Sequence, residues 1–260
     1  MKALDTETSV PGDWLEDTRR FWNTDSDSEA KYRRICLDPE IESTTDEGEL
    51  AALWHKRTEA ELAQLLSGIP IQADWTCLEI GCGLGRLMKP IAQQCARVIG
   101  IDVSPRMVEF AGEYLRGVPN TEVHLNDGQT IPMVPDASID WVYSHLAFQH
   151  LTLYEVVDRY LAEIHRVLKP GGYCRIQCWR EAALPLAERA KNVVRLLTGR
   201  ERYHGPRRWL WGPGKEVKFG GVTFHPKAWR KLLASHGLRV ISLQLGLGHD
   251  HWMWTTSRKR

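Results

Sequence analysis

The sequence predicts a doubly wound α/β fold, a mostly parallel sheet with helices on both faces. Three observations carry this. Apolar, strand-like runs alternate with helix-spaced segments between residues 76 and 178, which is the pattern of right-handed βαβ crossovers. The run Leu78-Glu79-Ile80 breaks into Gly81-Cys82-Gly83-Leu84-Gly85-Arg86, which reads as strand, tight turn and helix. About 20 residues further on, Val98-Ile99-Gly100-Ile101-Asp102 is a second apolar strand that ends in an acid.

The elements follow in order. Residues 1–45 are polar and acidic, with scattered aromatics Trp14, Phe21, Trp22 and Tyr32. Over 49–66, Leu50, Leu53, Trp54, Leu62, Leu65 and Leu66 recur at helical spacing, and Gly68 and Pro70 end the helix. Strands are predicted at 76–80, 98–102, 121–125, 139–144 and 173–178, and helices at 87–95, 105–115 and 153–168. Residues 186–197 read as a basic amphipathic helix. Residues 199–221 are rich in Gly, Pro, Arg and Trp, and this stretch is too long for an ordinary connection. A helix at 226–236 and strands at 238–245 and 252–256 close the chain. No internal repeat is visible.

Composition bounds the class. With 260 residues and 43% apolar content, the chain fits one elaborated domain, or one domain with a cap. No run approaches the 18 or so apolar residues of a membrane span, and residues 1–10 carry no apolar signal core, so a soluble cytoplasmic protein is expected. The six cysteines (36, 77, 82, 95, 174 and 178) have neither secreted-domain nor C-x-x-C zinc spacing, and reduced thiols are expected. Net charge is +1, but residues 1–70 hold 8 Lys+Arg against 16 Asp+Glu, while 181–260 hold 16 against 5. That asymmetry fits solvated surface, an acidic N-terminal segment packed on the basic C-terminal part, or a basic part that faces an anionic substrate.

The glycine loop and Asp102 point to an adenosine-type cofactor. Glycine lets the backbone approach a ligand and adopt positive φ, and a strand-ending carboxylate can take both ribose hydroxyls. The dinucleotide fingerprint G-x-G-x-x-G would place its third glycine at Arg86, whereas it stands at Gly85. A nicotinamide cofactor is therefore disfavoured.

Residues 79–85 resemble motif I, E/D-x-G-x-G-x-G, of the class I S-adenosylmethionine (SAM) methyltransferases. The resemblance extends over roughly 75–180. Asp102 is similar to the family's ribose acid, and His124-Leu125-Asn126-Asp127-Gly128 to its adenine loop. Ser138-Ile139-Asp140-Trp141-Val142-Tyr143-Ser144 resembles the fourth strand, with Gln149-His150-Leu151 after it. Leu168-Lys169-Pro170-Gly171-Gly172-Tyr173 resembles the turn into the fifth. The resemblance implies a Rossmann-like, mostly parallel seven-stranded sheet with an antiparallel C-terminal hairpin. It also implies an N-terminal helical cap over 1–70, a methyltransferase domain over 71–260, and a substrate lid inserted at 181–224.

It further implies SAM held by Glu79, Gly81, Cys82, Gly83, Gly85, Arg86, Asp102, Val103, Met107, Asp127, Gly128 and Ser144. Glu79 stands where the family places an acid near the methionine ammonium, and Asp127 where an acid meets the adenine amino group. Four of them have a plainer reading: Arg86 as a solvated first-turn arginine, Val103 and Met107 as core, Asp127 as an Asp-Gly turn acid. His145 and His150 follow the fourth strand and are the candidate general bases, needed only if the acceptor must lose a proton. His204 and His225 lie in or beside the insertion. His249-Asp250-His251 supplies two imidazoles at i, i+2 with no third ligand in sight, so no metal is expected. Phe21-Trp22 packs either over the cofactor or as an anchor on the outside. Trp179, Trp209 and Trp211 near many arginines suit a base-stacking surface or an aromatic acceptor wall. A pI of 7.7 argues for the latter. The expected activity is methyl transfer to O, N or C of a small molecule, an anionic one among the candidates. The rivals are an RNA or protein methyltransferase and a catalytically silent SAM-binding scaffold.

Overall fold

A computed structural model of the protein describes residues 14–24, 46–180, 221–247 and 251–260. The predicted helix at 186–197, Trp209, Trp211, His204, Cys36 and the His249-Asp250 pair lie outside the described residues. Of the described cysteines, Cys77, Cys82, Cys95, Cys174 and Cys178 are all buried free thiols.

The parallel core is built from β1 (Thr76–Ile80), β2 (Arg97–Asp102), β3 (Thr121–Leu125), β4 (Ile139–Ser144) and β5 (Leu168–Arg180). A two-residue strand β6 (Thr223–Phe224), then β7 (Leu238–Leu245) and β8 (Trp252–Lys259), complete an eight-stranded sheet. The order is β3-β2-β1-β4-β5-β8-β7, with β6 beside the end of β5. β5 and β7 both run antiparallel to β8, the hairpin expected from the sequence. The seven-stranded sheet gains β6, which pairs with Trp179 and Arg180 beyond the point where β4 has ended.

Helices α1 (Trp14–Thr24), α2 (Glu47–Leu66), α3 (Met88–Ala92), α4 (Pro105–Tyr114), α5 (Tyr154–Val167) and α6 (Pro226–Ser235) surround the sheet. Their starts have local causes. Asp46 accepts the Glu49 N–H at 2.8 Å, and Ser104 accepts that of Met107 at 3.2 Å ahead of Pro105 at the first helical position. α3 is one turn, shorter than predicted, because the glycine segment continues as turns through Leu87. β5 starts five residues before the predicted strand. Ile139 pairs with Leu168 but Trp141 with Tyr173, so Lys169-Pro170-Gly171-Gly172 forms a bulge.

Strand alternation gives the sheet two unlike faces. Leu78, Ile80, Val142, Cys174, Ile176, Cys178 and Met253 pack under α5 and α6 in one apolar core. Cys77, Trp141, Tyr143 and Trp254 face the other way, with α2 and α3. Strand order reverses between β1 and β4, and the crevice at the carboxyl ends there is where open α/β sheets bind ligands.

Candidate functional site

The glycine loop leaves β1 into that crevice. Gly81 and Gly85 sit at φ +74° and +76°. A Cβ on Gly81 would stand 2.3 Å from Cβ of Ala147, and one on Gly85 2.8 Å from Cδ1 of Leu115. Gly81 is thus required by packing as well as by backbone conformation, and Gly85 chiefly by its backbone conformation. The Gly81 and Cys82 N–H groups donate to the Ile101 carbonyl at 2.8 and 3.0 Å, which fastens the loop to β2.

Asp102 closes β2 beneath the loop. Its Oδ2 accepts the Gly83 N–H at 2.9 Å and its Oδ1 the Ser104 N–H at 2.9 Å. Burial raises its pKa, opposed by the N–H groups of Ser104, Gly83 and Val103. Glu79, one strand over, is buried, and its Oε2 has no hydrogen-bond partner. The Tyr143 hydroxyl in the paired position on β4 has none either. Burial pushes the Glu79 carboxyl up to about 8, against smaller lowering by the Tyr143 hydroxyl and the Arg86 guanidinium, with Asp102 adding to the rise.

The other candidates are placed as follows. Arg86 is buried rather than solvated. Its guanidinium pairs with Glu61 of α2, donates to the Thr58 hydroxyl at 3.2 Å and lies over the Trp54 ring. That expectation fails because Glu61 supplies a buried counter-charge which a reading of the loop alone does not see. Met107 joins Trp54, Leu84 and Phe110 in a small core against which Trp22 packs. The Val103 carbonyl accepts from Arg19 Nε at 3.0 Å. The Ser144 hydroxyl donates to the Ile80 carbonyl at 2.9 Å, on the apolar side of the sheet. Asp127 is exposed. Burial raises its pKa, but the Thr130 hydroxyl and the Thr130 and Gln129 N–H groups outweigh that and leave it lowered. Gly128 follows at φ +79° with its N–H on Asn126 Oδ1 at 2.7 Å.

The two histidines part company. His145 lies buried beneath α2 with Nε2 2.9 Å from Glu61 Oε2. His150 is half-buried, edge-on to Trp22 at 5.2 Å, with Nε2 3.1 Å from Gln149 Nε2. Gln149 Oε1 accepts from Gln177, and Gln177 Oε1 accepts the Leu146 N–H.

Sequence reasoning missed three groups. Glu61 stands at i+7 from Trp54 and four before Leu65, an acid on the buried stripe of its helix, and that position was the available signal. Arg19 bonds the Val103 and Asn126 carbonyls, and Asn23 accepts from the Ser104 hydroxyl at 2.7 Å, so α1 crosses the ends of β2 and β3. Asn126 Oδ1 also accepts from the Tyr160 hydroxyl at 2.8 Å. No pattern in the sequence announced these last two. No group of three potential metal ligands occurs among the described residues.

A family profile described as "Methyltransferase domain" matches residues 78–176. Trans-aconitate 2-methyltransferase of Methylobacterium radiotolerans is 32% identical over 184 residues, 68% of this chain and 63% of that protein. Sterol 4-C-methyltransferase of Caenorhabditis elegans is 28% identical over 178 residues, 66% of this chain and 48% of that one. Residues 78–176 thus carry a methyltransferase domain. The chain spans less than two thirds of the length of either curated relative. In fold, the chain superposes on the solved "DhpI-SAM-HEP complex" with TM-score 0.64 at 18% identity, covering 96% of this chain and 100% of that one. The cofactor of such domains is SAM, and the chain has residues that fit it. An unpartnered buried carboxyl oxygen on Glu79, beside an unpartnered Tyr143 hydroxyl, suits a cationic ammonium, and the loop that Asp102 fastens lies next to it. No helix among the described residues is long and apolar enough to cross a membrane.

Proposed function

We propose that the chain transfers the methyl group of SAM to a small-molecule acceptor. The observation that carries this is the pair of carboxylates, Glu79 and Asp102, ending neighbouring parallel strands on either side of the glycine loop at the switch point. Glu79 takes the methionine ammonium, which would relieve the cost of its buried carboxylate. Asp102 takes the ribose hydroxyls, and Gly81, Cys82, Gly83 and Gly85 hold the backbone close to the ligand. Val103 and Met107 border the adenosine, with Asp127 and Gly128 at the adenine edge. Bound SAM supplies a methyl already activated on a sulfonium. The protein therefore contributes chiefly by aligning donor and acceptor, an effect of up to about 7–11 kcal/mol in favourable models. Segment 1–70 serves as cap; of the lid expected at 181–224, Val222, Thr223 and Phe224 join the sheet and its core instead, and 181–220 lie outside the described residues. The relatives named for trans-aconitate and sterol acceptors support a small-molecule substrate.

Methyl-tritiated SAM incubated with fractionated small metabolites and, separately, with bulk tRNA tests this. Label entering a metabolite fraction is the expected outcome. Label confined to tRNA, or none in either with SAM bound, would replace the reading by one of its rivals.

A further inference from the structure

His145 carries more chemistry than its place in a packed interior requires. It follows β4 directly at the ligand end of the sheet, and its side chain is 1% exposed. The ring is stacked on Trp254 at 5.1 Å and 18°, and meets Trp252 edge-on at 5.9 Å. Nε2 lies 2.9 Å from Glu61 Oε2, an oblique approach at ion-pair distance, and Nδ1 is buried without any partner. A buried imidazole nitrogen without a hydrogen bond is costly to leave unmade. Two arginines, Arg57 on α2 and Arg86 on the glycine loop, already pair with Glu61. Burial, with smaller contributions from both arginines, lowers the His145 pKa against the opposing pull of Glu61. The ring is therefore neutral near pH 7. A carboxylate beside Nε2 selects the tautomer with the proton there, which leaves a lone pair on Nδ1.

Resting on the cofactor reading above, we propose that His145 is the general base of the reaction, oriented by Glu61, and that the acceptor is a hydroxyl compound rather than a carboxylate. A carboxylate is already ionised and has no proton for a base to take. A hydroxyl must lose one. As the acceptor oxygen forms its bond to the methyl carbon, the carbon–sulfur bond breaks and sulfur keeps the electron pair. The hydroxyl proton passes to His145 Nδ1. Glu61 stabilises the imidazolium, which then returns its proton to water. Trp252 and Trp254, both buried, pack on the His145 ring and hold its plane. His145 is the catalytic residue, and Glu61 acts through it as a positioning residue.

The test uses the full chain saturated with S-adenosylhomocysteine (SAH) and ¹⁵N-labelled at histidine, with His145→Gln identifying the His145 signals. The expected spectrum has the proton on Nε2 and a lone-pair shift at Nδ1. The probes are a matched pair, 2-naphthol and 2-naphthoate. Naphthol should move the Nδ1 resonance and naphthoate should not. With methyl-tritiated SAM, label should enter naphthol, and His145→Gln should lower that rate about 10²–10⁴-fold with SAH affinity within twofold. Glu61→Gln should shift the tautomer balance as well as the rate, which a merely structural residue would not do. A proton on Nδ1, an Nδ1 signal indifferent to naphthol, or equal response to naphthoate overturns the base assignment whatever the turnover. Failure of the wild type to bind SAH would instead overturn the cofactor reading.

Discussion

The two faces of the sheet are built on opposite plans. Under α5 and α6 the strands present Leu78, Ile80, Val142, Ile176 and Met253, and the space is filled by Val156, Val157, Leu161, Ile164 and Trp229. The polar groups there are few and stitched to close neighbours, as Ser144 is to Ile80 and Trp229 to Thr255. Under α2 and α3 the same sheet presents Glu79, Tyr143, Arg175 and Gln177 beside a second apolar core of Cys77, Trp141 and Trp254. Arg175 is buried with no acid among its partners. It donates to Thr256 at 2.6 Å, to the Gln64 carbonyl at 2.7 Å and to Gln244 at 3.0 Å, and burial lowers its pKa to about 10. One face holds the fold together by non-directional packing. The other keeps charges and unpartnered polar atoms that lower stability unless a ligand uses them. The contrast sets a face that is packed almost wholly with apolar groups against one that adds polar atoms a ligand could use.

The comparison breaks most visibly at Glu61. Glu61→Ala leaves Arg86 buried beside His145 without a counter-charge and should cost about 3–5 kcal/mol in urea unfolding. Leu161→Ala on the apolar face should cost about 2–5 kcal/mol, yet leave SAH affinity unchanged once the protein is folded. If Leu161→Ala weakened SAH binding in the folded fraction, the two faces would not be separable.

Much of this division was legible in the sequence. In β5, Cys174, Ile176 and Cys178 alternate with Arg175 and Gln177, and a strand buried on both sides with that alternation has one polar face. The strand-ending acids Glu79 and Asp102 and the glycine loop were legible for the same local reason, since turn and strand chemistry is written in adjacent residues. What could not be read were partners distant in the chain. The solvated alternative for Arg86 fails because its partner Glu61 lies 25 residues away on a helix whose docking the sequence does not fix. The Leu146–Gln177–Gln149–His150 chain and the Arg19 contacts likewise exist only once the elements are packed. The bulge that lengthens β5 was hidden because Lys-Pro-Gly-Gly reads as a turn, and is one, yet pairing continues on both sides of it.

A subtler test concerns Glu79. Its folded pKa is raised from the ordinary 4.5 to about 8, so between those values the folded state binds more protons than the unfolded one. Stability of the ligand-free protein must therefore fall as pH rises through that window. Glu79→Gln should remove the fall, gaining on the order of 1–3 kcal/mol at pH 8, and should weaken SAH binding at the same time. Thermal melts at pH 5 and 8, with and without SAH, read both effects. A variant that is less stable at pH 8, or that binds SAH as well as the parent, contradicts the assignment of this carboxyl to the ligand.

The smallest effect belongs to the solvent-exposed edge. Arg97 and Glu122 pair across β2 and β3 at 2.7 Å with side chains 49% and 43% exposed. Arg97→Ala should cost no more than about 1 kcal/mol, and molar salt should erase most of that. A larger, salt-resistant loss would mean that this edge shares the buried character of the α2 face.

Asp102 is the proposed grip of the polar face on SAM. Calorimetric titration of SAH into the parent and Asp102→Ala proteins tests it most directly, with circular dichroism to check that the fold survives. Charge-assisted hydrogen bonds contribute about 1.5–3 kcal/mol each. Loss of two to the ribose should therefore weaken binding by roughly 10²–10⁴-fold, with the spectrum unchanged. Equal affinity in the two proteins, or no binding of SAH by the parent, would contradict the account.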